Sequence, residues 1–280
     1  MAPARPPRTV IVTGGAGGIG TTLVRAFAIA GHRVGICDVS AEAVLRLERE
    51  LGDANSFGIV TDISDPVACA QTVERVARRF GTVHALVNNA ALGMGAVRQD
   101  HFSRTVQIED ISPELWQRFL AVNLSGAFFM AKAVMPFFRA QGFGRIINVT
   151  TSYFTMLRGG FSPYGPAKAG LEAWTTSLAA ELRGTGITAN VVVPGGPTDT
   201  PMVPEGCGMP RSELIRPEQM APPMLYLLSD AAGEVTGQRF VAAHWDPMLP
   251  DADAAARAGG PSGWPDLAQT PVWPGGKPAS

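Results

Sequence analysis

From Thr9 onward, short runs of β-branched and aliphatic residues alternate with longer stretches in which apolar positions recur every three or four residues. A short apolar run marks a buried strand, whereas a recurrence near 3.6 marks the buried stripe of a helix. On that basis strands are predicted at 9–12, 33–37, 56–60, 85–87, 145–149 and 188–193, with a seventh at 239–242. Helices are predicted at 21–30, 41–51, 66–80, 113–140, 164–183 and 217–229. Strand and helix in strict alternation require right-handed crossovers, which lay helices on both faces of a parallel sheet. The pattern therefore predicts an α/β fold built on a single doubly wound parallel sheet of seven strands.

Two segments break the rhythm. Residues 92–112 are polar and hold Arg98, Asp100, His101 and Arg104, and residues 194–216 are crowded with proline and glycine. Each follows a strand, so each should emerge at the carboxyl edge where open α/β sheets bind ligands. The chain divides into an N-terminal arm (1–8), one catalytic domain (9–244) and a Pro/Gly-rich C-terminal extension (245–280). The extension is expected to be disordered or to wrap over a neighbour, and Trp264 and Trp273 favour wrapping, since disordered tails are poor in aromatics.

Composition narrows the picture. With 280 residues, 46% of them hydrophobic and 17% charged, the chain can bury one large core. Its net charge of -1 provides no basic field, so neither nucleic acid nor an anionic membrane is indicated as a partner. Cys37, Cys69 and Cys207 are odd in number and widely spaced, which suits a reducing, cytoplasmic setting. No apolar signal core is present near the N-terminus and no run approaches the ~18 consecutive apolar residues of a membrane span, so a soluble protein is expected. None of His32, His84, His101 and His244 has metal-ligand spacing to Cys or carboxylate partners, so no metal is expected.

The first strand runs through Thr13-Gly-Gly-Ala-Gly-Gly-Ile-Gly20 into a helix. Glycines permit positive φ and let backbone N–H groups approach a pyrophosphate, and the helix N-terminus adds partial positive charge. A strand before and a helix after make this loop a candidate dinucleotide site in a Rossmann-like sheet. Asp38 ends the second strand 18 residues after Gly20, near the spacing at which a carboxylate meets the adenosine ribose hydroxyls. Such a carboxylate repels a 2′-phosphate, so NAD is favoured over NADP. Asp38 could instead cap the following helix, a role Ser40 could equally fill. Asp62, after the third strand, could likewise be a cap before Pro66.

Tyr164-Gly-Pro-Ala-Lys168 places a phenol and an ammonium four residues apart, on one face of a helix. A neighbouring cation favours tyrosinate and brings a phenol towards the range useful for general acid–base catalysis. In isolation the pair would be an ordinary surface pair. Its company is more specific: the glycine loop, Asn88-Asn-Ala-Ala91 at a strand end, Asn123 in a helix, Thr150-Thr-Ser152 after a strand, and then Tyr164 with Lys168. In that order these motifs resemble the short-chain dehydrogenases/reductases, over about residues 9–242.

The resemblance implies roles for individual residues. Gly14, Gly17, Gly18, Ile19 and Gly20 would line the pyrophosphate. Asp38 and Val39 would meet the adenosine ribose, and Asp62 and Ile63 the adenine. Asn89, Ala90 and Ala91 would floor the cofactor groove. Tyr164 would exchange a proton with the substrate oxygen, Lys168 would hold the nicotinamide ribose and lower the tyrosine pKa, and Asn123 would anchor a water linking Lys168 to solvent. Pro194, Gly195, Thr198 and Thr200 would bracket the nicotinamide, with Val193 close by. Relatives commonly assemble as homodimers or homotetramers through the helices around Asn123 and Tyr164.

Two positions depart from the family pattern. The place usually held by serine, 13 residues before the tyrosine, is Thr151, whose extra methyl restricts χ1; Ser152 is the alternative if the loop is bulged. Ala91 stands where Asn-Asn-Ala-Gly usually ends. The expected reaction is metal-free hydride transfer between nicotinamide and a secondary alcohol or ketone. Phe154, with Met156 and Leu157, suggests an apolar wall and a hydrophobic or aromatic substrate part, Arg98 a polar contact, and Met202 and Ser152 further substrate contacts. The competing readings are a non-catalytic NAD-binding scaffold or redox sensor, and an NAD-using epimerase.

Overall fold

The computed structural model describes residues 7–266. The expected strands form as β1 (Thr9–Thr13), β2 (Arg33–Asp38), β3 (Ser56–Val60), β4 (Ala85–Asn88), β5 (Gly144–Val149), β6 (Ile187–Val193) and β7 (Gln238–Val241). They are joined in the order β3-β2-β1-β4-β5-β6-β7, every pair parallel. The switch in order lies between β1 and β4, so the carboxyl ends of those strands open onto a crevice.

The helices are α1 (Gly18–Ile29), α2 (Ala41–Leu51), α3 (Pro66–Phe80), α4 (Pro113–Leu120), α5 (Gly126–Gln141), α6 (Tyr153–Leu157), α7 (Tyr164–Glu181), α8 (Ala221–Leu228) and α9 (Asp251–Ala258). They cover both faces of the sheet. On one side Leu23, Val24 and Phe27 of α1, Leu47 of α2 and Met224 and Leu227 of α8 pack on Val10, Val12, Val34 and Ile36. On the other, Val73 and Val76 of α3, Met130, Val134 and Phe138 of α5 and Leu178 of α7 pack on Ile11, Leu86 and Ile146. The strand interiors are apolar on both faces because both faces are covered.

An eighth strand corrects the expected count. Gly259–Pro261 (β8) pairs antiparallel with β7 at the sheet edge. Its Gly-Gly-Pro composition carries no strand signal, and proline is tolerated there because the strand is an edge. The segment after residue 244 is ordered against its own sheet as far as residue 266: Trp245 is buried against Tyr226 and Phe240, and Ala254, Ala255 and Ala258 of α9 sit in the same core. Trp273 lies outside the described residues, as do residues 1–6 of the arm.

The stretch expected as one helix at 113–140 is interrupted by a π turn, Ala121–Ser125, between α4 and α5. The 29-residue run Pro113–Gln141 contains an 18-residue stretch with mean hydropathy 1.4, apolar enough by length and composition to cross a membrane, contrary to expectation. Counting only unbroken apolar residues misses it, because Lys132 and Arg139 interrupt the run. Here its apolar face is core: Met130, Ala131, Val134 and Phe138 are buried between α3 and the sheet.

Candidate active site

The glycine loop joins β1 to α1 at the crevice. Gly14 has φ 61°, and a Cβ on it would lie 2.8 Å from the Ala90 Cα. A Cβ on Gly20 would lie 1.9 Å from the Gly14 carbonyl oxygen, so no side chain fits there. Gly17 differs: its Cβ would meet no heavy atom nearer than 3.9 Å, which leaves open space above the loop. Gly17 is the N-cap of α1 and contributes no side-chain cap, so the amides of the first turn, including Gly18, Ile19 and Gly20, have no capping side chain over them. Open space and uncapped amides suit a pyrophosphate.

Asn89 and Thr13 fix the loop from below. The Thr13 hydroxyl accepts from the Asn89 and Ala90 amides at 3.0 and 3.1 Å, and the Asn89 side-chain amide donates to the Thr13 and Gly14 carbonyls. Asn89 thus ties the loop to the end of β4, and its neighbour Ala91 is half-buried in the same stretch.

At the end of β2 the two readings of Asp38 separate. Ser40 caps α2 by accepting from the Ala43 amide, while Asp38 turns to the glycine loop and accepts from the Ala16 amide at 3.1 Å. Val39 beside it is exposed. Asp62 is likewise not the cap of α3, since Asp65 accepts from the Val67 amide and Asp62 accepts from Ser64. Ile63 is buried against Gly126 and belongs to the core.

Tyr164 opens α7, and Lys168 lies one turn further along it. Lys168 is buried, and its ammonium donates to the Val149 carbonyl at 2.7 Å and sits 6.0 Å from the centre of the Tyr164 ring. Burial pushes the lysine down to about 7. Burial also pushes the Tyr164 phenol up to about 12, and the hydrogen bond from Thr151 draws it back only in part. Desolvation sets the Tyr164 phenol here, and no lowering by Lys168 accompanies it.

Thr151 is the hydroxyl that reaches Tyr164. Ser152 is occupied: its oxygen caps α6 by accepting from the Thr155 amide at 3.1 Å and bonds the Thr155 hydroxyl. Asn123 sits in the π turn, which packs on α7, and both ends of its amide are taken by the Leu92 backbone at 2.7 and 2.9 Å. A water there would have to meet its main chain.

The segment after β6 arches back over the crevice. Pro194 accepts from the Ala243 amide, Gly195 has φ 110°, Val193 is buried and only packs, and Thr198 bridges to Ile215. Thr200 is the residue a Cβ on Gly18 would strike, at 3.1 Å, so it faces the glycine loop across the cleft. Met202 crosses further and lies against Gly93, on the loop after β4. Arg211 and Arg216 hold Asp199 at 3.1 and 2.9 Å, which pins this arch at its base.

The substrate candidates divide. Arg98 is paired with Asp100 and Asp110 within its own loop, so its charge is already met. Phe154 is exposed on α6. A cavity of about 640 Å³ opens between residues 105–112, the start of α4 and residues 159–162, lined by Val106, Ile108, Ile111, Trp116, Gly160 and Ser162 among others. Tyr164 and Thr151 do not line it.

A buried polar cluster behind Thr151 is absent from the sequence-based expectations. Glu172 of α7, fully buried, pairs with Arg239 of β7 at 2.6 Å, and Thr150, Thr151 and Tyr153 all bond to this pair. No local pattern announces a pair separated by 67 residues. The one available signal is Arg239 itself, a charge inside a strand.

Comparison with known proteins follows the same residues. The family model described as short chain dehydrogenase matches residues 8–206. Probable galactose dehydrogenase from Rhizobium meliloti is 37% identical over 192 residues, covering 67% of this chain and 71% of that protein. The 3-oxoacyl-[acyl-carrier-protein] reductase of Escherichia coli is 31% identical, over 82% of this chain and 93% of its own. A crystal structure of 3-ketoacyl-(acyl-carrier-protein) reductase from Brucella melitensis complexed with NADH superposes with a TM-score of 0.72 at 26% identity, covering 83% of this chain and 95% of that one.

Proposed function

The chain belongs to the short chain dehydrogenase family, and from that premise we propose that it interconverts a secondary alcohol and a ketone using NAD(H), with Tyr164 as the proton-transfer residue. The observation that carries this reading is the convergence, at one sheet edge, of the Tyr164 phenol, the Thr151 hydroxyl beside it and the buried Lys168 side chain. A non-catalytic binding module has no chemical need for that trio.

The residues at the crevice fit a nicotinamide dinucleotide. The open space above Gly17 and the uncapped first turn of α1 would take the pyrophosphate, Asp38 the adenosine ribose, and Thr200 with the 194–198 segment the nicotinamide end. The bound cofactor supplies the hydride or accepts it. Tyr164 gives its phenolic proton to the substrate oxygen in reduction and takes it in oxidation. Thr151 donates its hydroxyl to the same oxygen as charge develops there. Lys168, held by the Val149 carbonyl and brought by burial to about 7, offsets in its protonated form the charge left on the tyrosine. Because burial leaves the phenol high, a protonated Tyr164 is the resting form, which suits it as a donor in reduction.

Two features favour a substrate with an apolar part: the cavity beside Ser162 with Ile108 and Trp116 in its wall, and Met202 across the cleft. The self-paired Arg98 gives an acidic substrate no support. Exposed Phe128 on α5, edge-on to Trp174 of α7, fits assembly as a homodimer or homotetramer, and the three free thiols fit a cytoplasmic address.

Cofactor choice is testable on its own. Asp38→Ala should weaken NAD binding by about tenfold, the scale of one or two lost charge-assisted hydrogen bonds, while NADP is unchanged or improved. Titration of both dinucleotides against the variant measures the ratio, and a ratio equal to that of the unmodified protein rejects the assignment.

A further inference from the structure

We propose that Glu172 and Arg239, closed over by Tyr153, are positioning residues that hold the Thr151 hydroxyl in line with Tyr164. The proposal rests on the reading of Thr151 and Tyr164 given above, and it concerns groups that touch neither substrate nor cofactor.

The geometry grips the peptide around Thr151 from several sides. The Thr150 hydroxyl donates to Glu172 Oε2 at 2.6 Å. Arg239 Nη2 donates to the Thr151 carbonyl at 2.8 Å, and its Nη1 donates to Glu172 Oε2 at 2.6 Å. The Tyr153 hydroxyl donates to Glu172 Oε1 at 3.1 Å, and its ring lies 4.1 Å from the Arg239 guanidinium. Of the hydroxyls of this run, Ser152 is spent on the cap of α6, and the Thr151 hydroxyl stays outside the cluster beside Tyr164. Glu172 stands on the same helix as Tyr164 and Lys168, so one carboxylate ties the threonine loop to the helix that carries the phenol.

A buried ion pair is a poor device for stability alone, because well-packed apolar residues of similar volume do as well or better. What it adds is a fixed geometry, since a buried cluster tied by several hydrogen bonds tolerates little displacement. This cluster is also kept dry. Trp264 packs on Tyr153 with ring centres 5.5 Å apart, and Ser262 bonds Thr176 at 2.7 Å and the Gly237 carbonyl at 3.1 Å. The end of the described C-terminal segment thus serves as a cover over the support of Thr151. Threonine makes such support useful: its branched Cβ has few χ1 choices, so its hydroxyl direction follows its backbone.

The test is a double-mutant cycle in the full chain, with NAD and the best alcohol from a panel. Glu172→Gln should lower kcat by about 10–100-fold, the scale of a displacement near 1 Å at a reacting group, with NAD affinity within about twofold. In a Thr151→Ala background the same change should cost no more than about twofold, because the hydroxyl it positions is gone. In isotope-labelled protein, where only three tyrosines are present, the Tyr164 Cζ resonance should move in Glu172→Gln as it does in Thr151→Ala, without any turnover being needed. If Glu172→Gln does not fold, Tyr153→Phe, which keeps the ring and the ion pair, should show a smaller loss that likewise vanishes in Thr151→Ala. Equal losses in both backgrounds, or an unmoved Tyr164 resonance, overturn the proposal while leaving the enzyme reading intact. An inactive wild type with an unmoved resonance overturns both.

Discussion

At the scale of single residues, Thr151 shows how little separates the family pattern from this chain. Serine and threonine offer the same donor, and only the extra methyl differs. Thr151→Ser should therefore keep kcat within about threefold, whereas Thr151→Ala should lose about 10²–10³-fold, the cost of removing one donor from a developing oxyanion; steady-state kinetics on the same substrate separates the two outcomes. Lys168 makes a prediction about stability. Its folded pKa, near 7, lies below the unfolded value, so between pH 7 and about 10 the unfolded chain binds more protons and folding gains as pH rises. The stability of the wild type relative to Lys168→Met should increase across that window, by at most about 1.4 kcal/mol per pH unit, and be flat below it. Denaturant titrations at several pH values measure this, and a difference independent of pH would mean that the lysine is not held neutral by burial.

At the scale of elements, what could be read from the chain depended on whether the signal was local. The glycine loop was legible because strand, loop and helix are contiguous, whereas the sequence left the caps open between Asp38 and Ser40 and offered Asp62 where the structure uses Asp65. Ser152 was ambiguous because a five-residue helix, α6, has too few positions to show a period, and only the structure reveals that its hydroxyl is spent on that cap. The π turn at Ala121–Ser125 leaves no trace in periodicity either, yet it is where Asn123 meets Leu92. The C-terminal elements α9 and β8 were missed because alanine, glycine and proline look alike in a loop and in a closely packed edge. Their packing makes a prediction: ending the chain after Pro250 uncovers Tyr226, Phe240 and Trp245, and should lower stability by on the order of 3 kcal/mol, or Tm by about 6–12 °C. A melting curve unchanged by the truncation would show that these elements do not hold the core.

At the scale of the whole molecule, the parallel sheet is what turns scattered motifs into a site. Thr13, Asp38, Asn88, Val149 and Val193 end β1, β2, β4, β5 and β6, and because the strands run the same way, all five ends lie along one edge. The dinucleotide side is built from β1, β2 and β4, and the reacting side from β5, β6 and α7, with Thr200 and Met202 reaching across from the second to the first. The motif order along the chain was enough to foresee this division, since topology follows from alternation. The Glu172–Arg239 pair was not foreseeable, since it depends on which faces of α7 and β7 meet. The central claim, that this edge transfers hydride with Tyr164 as the proton carrier, is tested most directly by following reduced-nicotinamide absorbance across a panel of secondary alcohols and ketones, with wild type and Tyr164→Phe side by side. The account predicts turnover for at least one apolar substrate, lost by more than about 10²-fold in the variant while NAD binding stays within about twofold. Turnover that survives in Tyr164→Phe, or NAD bound by the wild type with no absorbance change across the whole panel, would contradict it.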